Sequence, residues 1–158
     1  MKKQNGIDFA QSRSLLQILM GRILAIDYGL KRTGLAVTDP LQIIATALDT
    51  VETATLMGFI KSYFQKEQVE EVVIGMPKKL NNEDSDIASQ VKKFIDLFKK
   101  SFPLLKITEV DERFTSRIAQ QAMITGGMKK KDRQVKGNVD KISATIILQS
   151  YMQRKSVR

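Results

Sequence analysis

The sequence predicts one α/β domain built on a five-stranded mixed sheet. Three strands form an antiparallel meander, two more run parallel, and helices cover both faces. Two observations carry this. Residues 23–26, 33–38 and 43–51 are β-rich runs separated only by a Gly-containing turn and by Asp39-Pro40. Beyond Thr53, short apolar runs alternate with stretches in which apolar residues recur at helical spacing. A meander followed by strand–helix alternation implies a mixed sheet between helices.

The elements follow in order. Residues 23–26 are wholly apolar and stop at Asp27-Tyr28-Gly29, the pattern of a central strand buried on both faces. A buried, unpaired carboxylate is costly. Asp27 therefore either binds a metal ion or phosphate at the strand end, or caps the turn Gly29-Leu30-Lys31-Arg32 and pairs with Lys31 or Arg32. Residues 33–38 return antiparallel, and 43–51 form the third strand. Leu56, Ile60, Tyr63 and Phe64 mark a helix reaching about Gln65. Residues 72–75 are a short buried strand ended by Met76-Pro77. Asn81-Asn82 offer helix caps, with Glu83, Asp84 and Asp86 in the favourable first turn. Ile87, Val91, Phe94, Ile95 and Phe98 make that helix's apolar face, which ends near Lys99-Lys100. Residues 105–110 are the fifth strand, with Leu105, Ile107 and in part Glu109 pointing inward, and stop at Asp111-Glu112-Arg113. Thr115 caps a helix with Ile118, Ala122 and Met123 inward, ended by Gly126-Gly127. A last helix spans about 139–153.

Composition excludes several chemistries. The chain has 158 residues, enough for one domain with a real core. It has neither Cys nor His. Disulfides, thiolate zinc sites and Ser-His-Asp or Cys-His nucleophiles are thereby removed. Asp, Glu, Lys and Arg must carry any catalysis, and carboxylate-only sites favour magnesium or manganese. No apolar run approaches a membrane span. Lys2-Lys3 ahead of the apolar cluster at 15–20 has the outline of a secretory signal, but the cluster lies late and lacks a small-residue cleavage site. The expectation is a cytoplasmic protein: residues 1–19 a poorly ordered extension, 20–154 a single domain, 155–158 a basic tail. A monomer or weak homodimer is expected.

Charge is concentrated at one end. The net charge is +9, and nine basic residues against two acidic ones fall between Lys129 and Arg158. Five of the ten residues from Met128 to Gly137 are Lys129, Lys130, Lys131, Arg133 and Lys136. Such a bias points to a polyanion, with nucleic acid ahead of a merely solvated face. The stretch contains no aromatic residue, so it signals phosphate contacts rather than base stacking.

Parallel strands place functional groups beyond their carboxyl ends. Asp27 and Glu112 lie at such ends. Asp140, at the start of the last helix, shares a face with Ala144, Ile147, Leu148 and Tyr151. Three carboxylates far apart in sequence thus converge. Taken singly, Glu112 is an ordinary strand-end charge and Asp140 an acid favoured by a helix dipole.

Four segments then carry a resemblance. Residues 26–36 (Ile-Asp-Tyr-Gly-Leu-Lys-Arg-Thr-Gly-Leu-Ala) resemble the opening of the YqgF/RuvX family, within the RNase H-like superfamily. So do residues 73–77, 111–116 and 136–140 followed by 146–151, in the same order. The loop at 78–82 and the run at 141–144 depart from the family's usual pattern. The resemblance implies an RNase H-like fold and Asp27, Glu112 and Asp140 as the acidic catalytic and metal-binding residues. It implies a nuclease of structured nucleic acid, acting in 5′-end maturation of pre-16S ribosomal RNA or as a Holliday junction resolvase on branched DNA. Two metal ions about 3.5–4 Å apart supply an activated water and neutralise the leaving oxygen in such sites. Lys31, Arg32 and Arg113 are then candidate phosphate contacts beside the basic stretch; the plainer role for Arg113 is an ion pair with Asp111. Two other classes stand alongside. One is a non-catalytic RNA-binding module using only the basic surface. The other is an actin-like phosphate-binding domain, for which this chain is short.

Overall fold

The structure, a computed structural model, describes residues 20–77, 87–111, 127, 129–133 and 136–157, with only the backbone of 132, 133 and 136–138. Among the described residues there are five strands: β1 Arg22–Asp27, β2 Arg32–Thr38, β3 Ala45–Glu52, β4 Val69–Met76 and β5 Lys106–Asp111. The helices are α1 Leu56–Lys66, entered through a 3-10 turn at Thr53–Thr55, α2 Ala88–Ser101, the short α3 Lys130–Arg133 and α4 Lys136–Ser156.

The sheet order is β3-β2-β1-β4-β5. β1 pairs antiparallel with β2 and parallel with β4; β2–β3 is antiparallel and β4–β5 parallel. The expected mixed sheet is therefore what forms. β1, β4 and β5 share one direction, so their carboxyl ends lie along one edge.

The strand pleat sends alternate residues to opposite faces. Leu24, Ile26, Leu35, Val37, Val72, Ile74 and Met76 pack with α1 and α2. Ile23, Ala25, Ala36, Val73 and Val110 pack with Ala144, Ile147 and Leu148 of α4. On the α4 side three of the core residues are small: Ala25, Ala36 and Ala144, all fully buried. That lets the helix axis come close to the sheet.

Local departures from the expected pattern have physical causes. The β-prone pair Ile43-Ile44 is not strand. Asp39 Oδ1 accepts both their amides at 2.7 Å, and Gln42 turns the chain with φ 57°. The side chain of Asp39 thus overrides β-propensity and closes a hairpin loop. Leu105 and Ile107 pack inward against the α1–α2 core as expected, but Glu109 is exposed, and Val110 of β5 is buried on the opposite, α4 face. α2 begins at Ala88 among the described residues and buries Val91, Phe94, Ile95 and Phe98 as expected. The caps expected at 81–86, the helix expected after Thr115 and residues 1–19 lie outside the described residues.

The largest correction concerns the C-terminal helix. It spans Lys136–Ser156, three residues beyond the expected range at each end. Gly137 costs about 1 kcal/mol relative to alanine, yet helix propagation anchored by a buried stripe carries through it. Residues 130–133, expected as a loop, form a helical turn. Asp140 is therefore not a first-turn acid favoured by the dipole. It sits one turn inside α4.

Candidate active site

The site is assembled from two elements meeting at a glycine. Asp27 ends β1, and by the pleat it follows Ile23 and Ala25 onto the α4 face. Its cross-strand partner on β2 is Gly34. A Cβ at position 34 would lie 2.1 Å from the carbonyl oxygen of Asp140 and 2.4 Å from its carbonyl carbon. Only a residue without a side chain lets α4 rest there. Asp27 and Asp140, 113 positions apart in the chain, thus both adjoin Gly34. Asp27 is half-buried, and the Asp140 side chain is 16% exposed.

The turn between β1 and β2 is built tightly. A Cβ at Gly29 would meet the Arg32 carbonyl oxygen at 2.1 Å. Thr53 fastens the turn: its hydroxyl donates to the Gly29 carbonyl at 2.6 Å and its amide to the Lys31 carbonyl at 2.9 Å. Arg32 leaves the turn toward Asp140, Nε to Oδ2 4.0 Å. Of the two cations proposed to pair with Asp27, Arg32 thus reaches Asp140, and Lys31 stands exposed.

The remaining candidates divide as follows. Lys129, Lys130 and Lys131 are exposed, just ahead of the end of α4 that carries Asp140. Arg133 and Lys136 lie on α3 and at the start of α4. Glu112 and Arg113 follow the last residue of β5 and lie outside the described residues. Among the described residues no group of three or more acidic side chains gathers in metal-binding geometry. The structure brings together Asp27, Asp140, Arg32 and Gly34.

Sequence reasoning missed a second carboxylate centre, at the opposite end of the sheet. Glu71, near the start of β4, is 3% exposed. It accepts hydrogen bonds from Thr108 Oγ1 at 3.0 Å, from the Tyr151 hydroxyl and from Lys155 Nζ at 3.2 Å, and it pairs with Lys106 at 3.0 Å. Burial pushes its carboxyl up, but these four donors outweigh burial and hold it below the usual value. The signal lay in Tyr151 and Lys155, one turn apart on the sheet-facing stripe of α4. Through Lys155, the start of the expected basic tail belongs to the helix and locks it to the sheet.

A five-stranded mixed sheet of this order, with helices on both faces, is an RNase H-like fold. The fold matches RuvC of T. thermophilus bound to a Holliday junction substrate, with TM-score 0.53 and 15% identity over 85% of this chain and 96% of that one. It also matches fowlpox virus resolvase bound to Holliday junction DNA, with TM-score 0.50 and 13% identity over 85% of this chain and 98% of that one. The chain belongs to the RuvX family, described as Holliday junction resolvase, whose model matches residues 21–154. It is 55% identical over 136 residues to a Flavobacterium psychrophilum protein named "Putative pre-16S rRNA nuclease", covering 86% of this chain and 99% of that one. A Phocaeicola vulgatus protein of the same name is 56% identical, covering 86% of this chain and 98% of its own. Among the described residues no helix is long and apolar enough to cross a membrane.

Proposed function

We propose that this chain is a divalent-metal-dependent nuclease that cuts structured nucleic acid, with precursor 16S ribosomal RNA as its substrate. The observation that carries the reading is the junction at Gly34, where the backbone of α4 lies on the sheet and sets Asp140 beside Asp27. A donor set of carboxylate oxygens, in a chain without His or Cys, fits magnesium or manganese. Asp27 and Asp140 would hold the ion or ions, with Glu112 as the third ligand. A bound cation there supplies charge neutralisation at the phosphodiester and an acidified water. The protein's own residues do the rest. Arg32 orients the Asp140 carboxylate, Lys31 presents a cation at the same sheet end, and Lys129, Lys130 and Lys131 draw in backbone phosphates.

Branched DNA is the second reading, supported by the family's description and by the junction-bound structures that share the fold. Cleavage of labelled precursor ribosomal RNA against a labelled four-way junction separates the two.

The test of the site is a pair of measurements on Asp27→Asn. Cleavage should fall at least about a hundredfold, the scale reached even by outer-shell partners of metal ligands. Without metal, relief of like-charge repulsion should leave the variant as stable as wild type or more so. Magnesium at ten times its dissociation constant should then stabilise wild type by about 1.4 kcal/mol, or roughly 3–6 °C in Tm, and the variant little. A loss of stability in Asp27→Asn that magnesium does not alter would instead mark Asp27 as a turn cap.

A further inference from the structure

Asp27 and Tyr28 are consecutive, so the pleat sends them to opposite faces of the sheet at the same edge. Asp27 faces α4. Tyr28 turns toward α2, its ring 5.4 Å from that of Phe94 and tilted by 40°. Beside it opens a cavity of about 240 Å³ between α1 and α2, lined by Tyr28, Thr53, Met57, Gln90, Lys93 and Leu97 among others. We propose that this cavity receives an unpaired nucleobase of the nucleic acid whose backbone crosses the sheet edge at Asp27 and Asp140. The proposal rests on the nuclease reading above and specifies its substrate.

The chemistry of the walls selects that occupant. Tyr28 and Met57 offer an aromatic face and a polarizable thioether, the surfaces on which bases stack. Leu97 is 51% exposed although it is a large aliphatic side chain, so the apolar wall continues to the rim. Gln90 is half-buried and carries both a donor and an acceptor, matching a base edge. Lys93 is exposed at the mouth, where an adjoining phosphate would lie.

The cavity and the candidate active site share one turn. Thr53 lines the cavity and also donates to the carbonyl of Gly29, two residues after Asp27. One turn thus carries the candidate metal ligand on one side and the aromatic wall on the other. A strand that crosses the sheet edge at this turn has its backbone at Asp27 on one face and an adjacent base at Tyr28 on the other. Only an unpaired base can turn into the cavity, because a paired one is covered on both faces by its neighbours. This defines the substrate as one with a single-stranded nucleotide beside the scissile phosphate.

The experiment uses stem-and-flank RNAs carrying the fluorescent base 2-aminopurine at each unpaired position in turn, bound in EDTA so that none is cut. With wild type, one position next to the stem should be quenched by stacking. Tyr28→Leu should bind those RNAs roughly tenfold more weakly while binding a fully paired stem as wild type does. Tyr28→Phe, which keeps the packing on Phe94, should retain the quench. Leu97→Ser, a surface change, should weaken it. Equal binding of both RNAs by a folded Tyr28→Leu, with no quench in wild type, overturns the cavity's assignment even where magnesium supports cleavage. Quenching without any cleavage by wild type in magnesium or manganese overturns the nuclease reading instead.

Discussion

The two ends of the sheet treat their carboxylates in opposite ways. At the end where β1, β4 and β5 begin, Glu71 is buried and ringed by Thr108, Tyr151, Lys106 and Lys155. The protein itself neutralises that charge, and the result is a clamp between β4 and the last turns of α4. At the other end, Asp27 and Asp140 are brought to one glycine, and Arg32, 45% exposed, pairs with Asp140 at 4.0 Å. One helix serves both ends: its C-terminal turns are tied down so that its N-terminal turns present an acid. Carboxylates thus hold the fold at one end and, on the proposed reading, would hold a metal at the other. What differs is burial: Glu71 is buried, whereas Asp27 is half-buried.

Gly34→Ala should break this contrast most sharply. Its Cβ would strike the backbone of Asp140, which no rotamer change relieves. Overpacking of this kind costs about 1–3 kcal/mol, and misplacing a catalytic group by about 1 Å can cost a hundredfold in rate. Cleavage should fall by about that much, and the magnesium-induced rise in Tm should shrink. An active variant with a normal magnesium response would separate Gly34 from the site.

Replacing Lys129, Lys130 and Lys131 by Ala should weaken nucleic-acid binding without altering Tm. If all three contact duplex phosphates, the slope of log K against log salt should fall by about 2.7, at roughly 0.9 per contact. An unchanged slope would assign the three lysines to the solvated surface.

Glu71→Gln tests the other end. Weakening the buried hydrogen-bonded charge should cost about 1–3 kcal/mol while leaving the magnesium increment in Tm intact. The pH dependence has a definite sign. A carboxyl held below its ordinary value of 4.5 contributes stability that is present above that pH and is lost as pH falls through the folded-state value. Wild type should therefore exceed Glu71→Gln in Tm at neutral pH, and the two should converge in acid. A gap that persists below the folded-state value would mean packing, not charge, sets the clamp.

Gly58→Ala should give the smallest effect and the opposite sign to Gly34→Ala. Gly58 lies inside α1, and a Cβ there would meet nothing within 4 Å. Alanine should stabilise by about 0.5–1 kcal/mol, measurable in denaturant melts, with unchanged cleavage. Loss of stability would show that the position is less open than its geometry.

What the sequence determined by itself was the periodic part of the protein. The apolar run before Asp27, the meander through Thr38, and the stripes Val91-Phe94-Ile95-Phe98 and Ala144-Ile147-Leu148-Tyr151 each bury one face. Burial imposes a period of 2 or 3.6 that a reader can see. The same stripe put Asp140 on the sheet-facing side of its helix. Tertiary structure decided the rest, because the deciding contacts are between residues distant in the chain. Gly34 appeared in sequence as part of a motif, and only the path of α4 shows it to be the seat of Asp140. The start of α4 at Lys136 overrode the local cost of Gly137 through packing further along the helix. Glu71 is held by Tyr151 and Lys155, which reach it from 80 and 84 residues away. The cavity beside Tyr28 depends on how α1 and α2 lie against the turn after Asp27. Local sequence encodes which face of an element is apolar; it does not encode which distant element that face will meet.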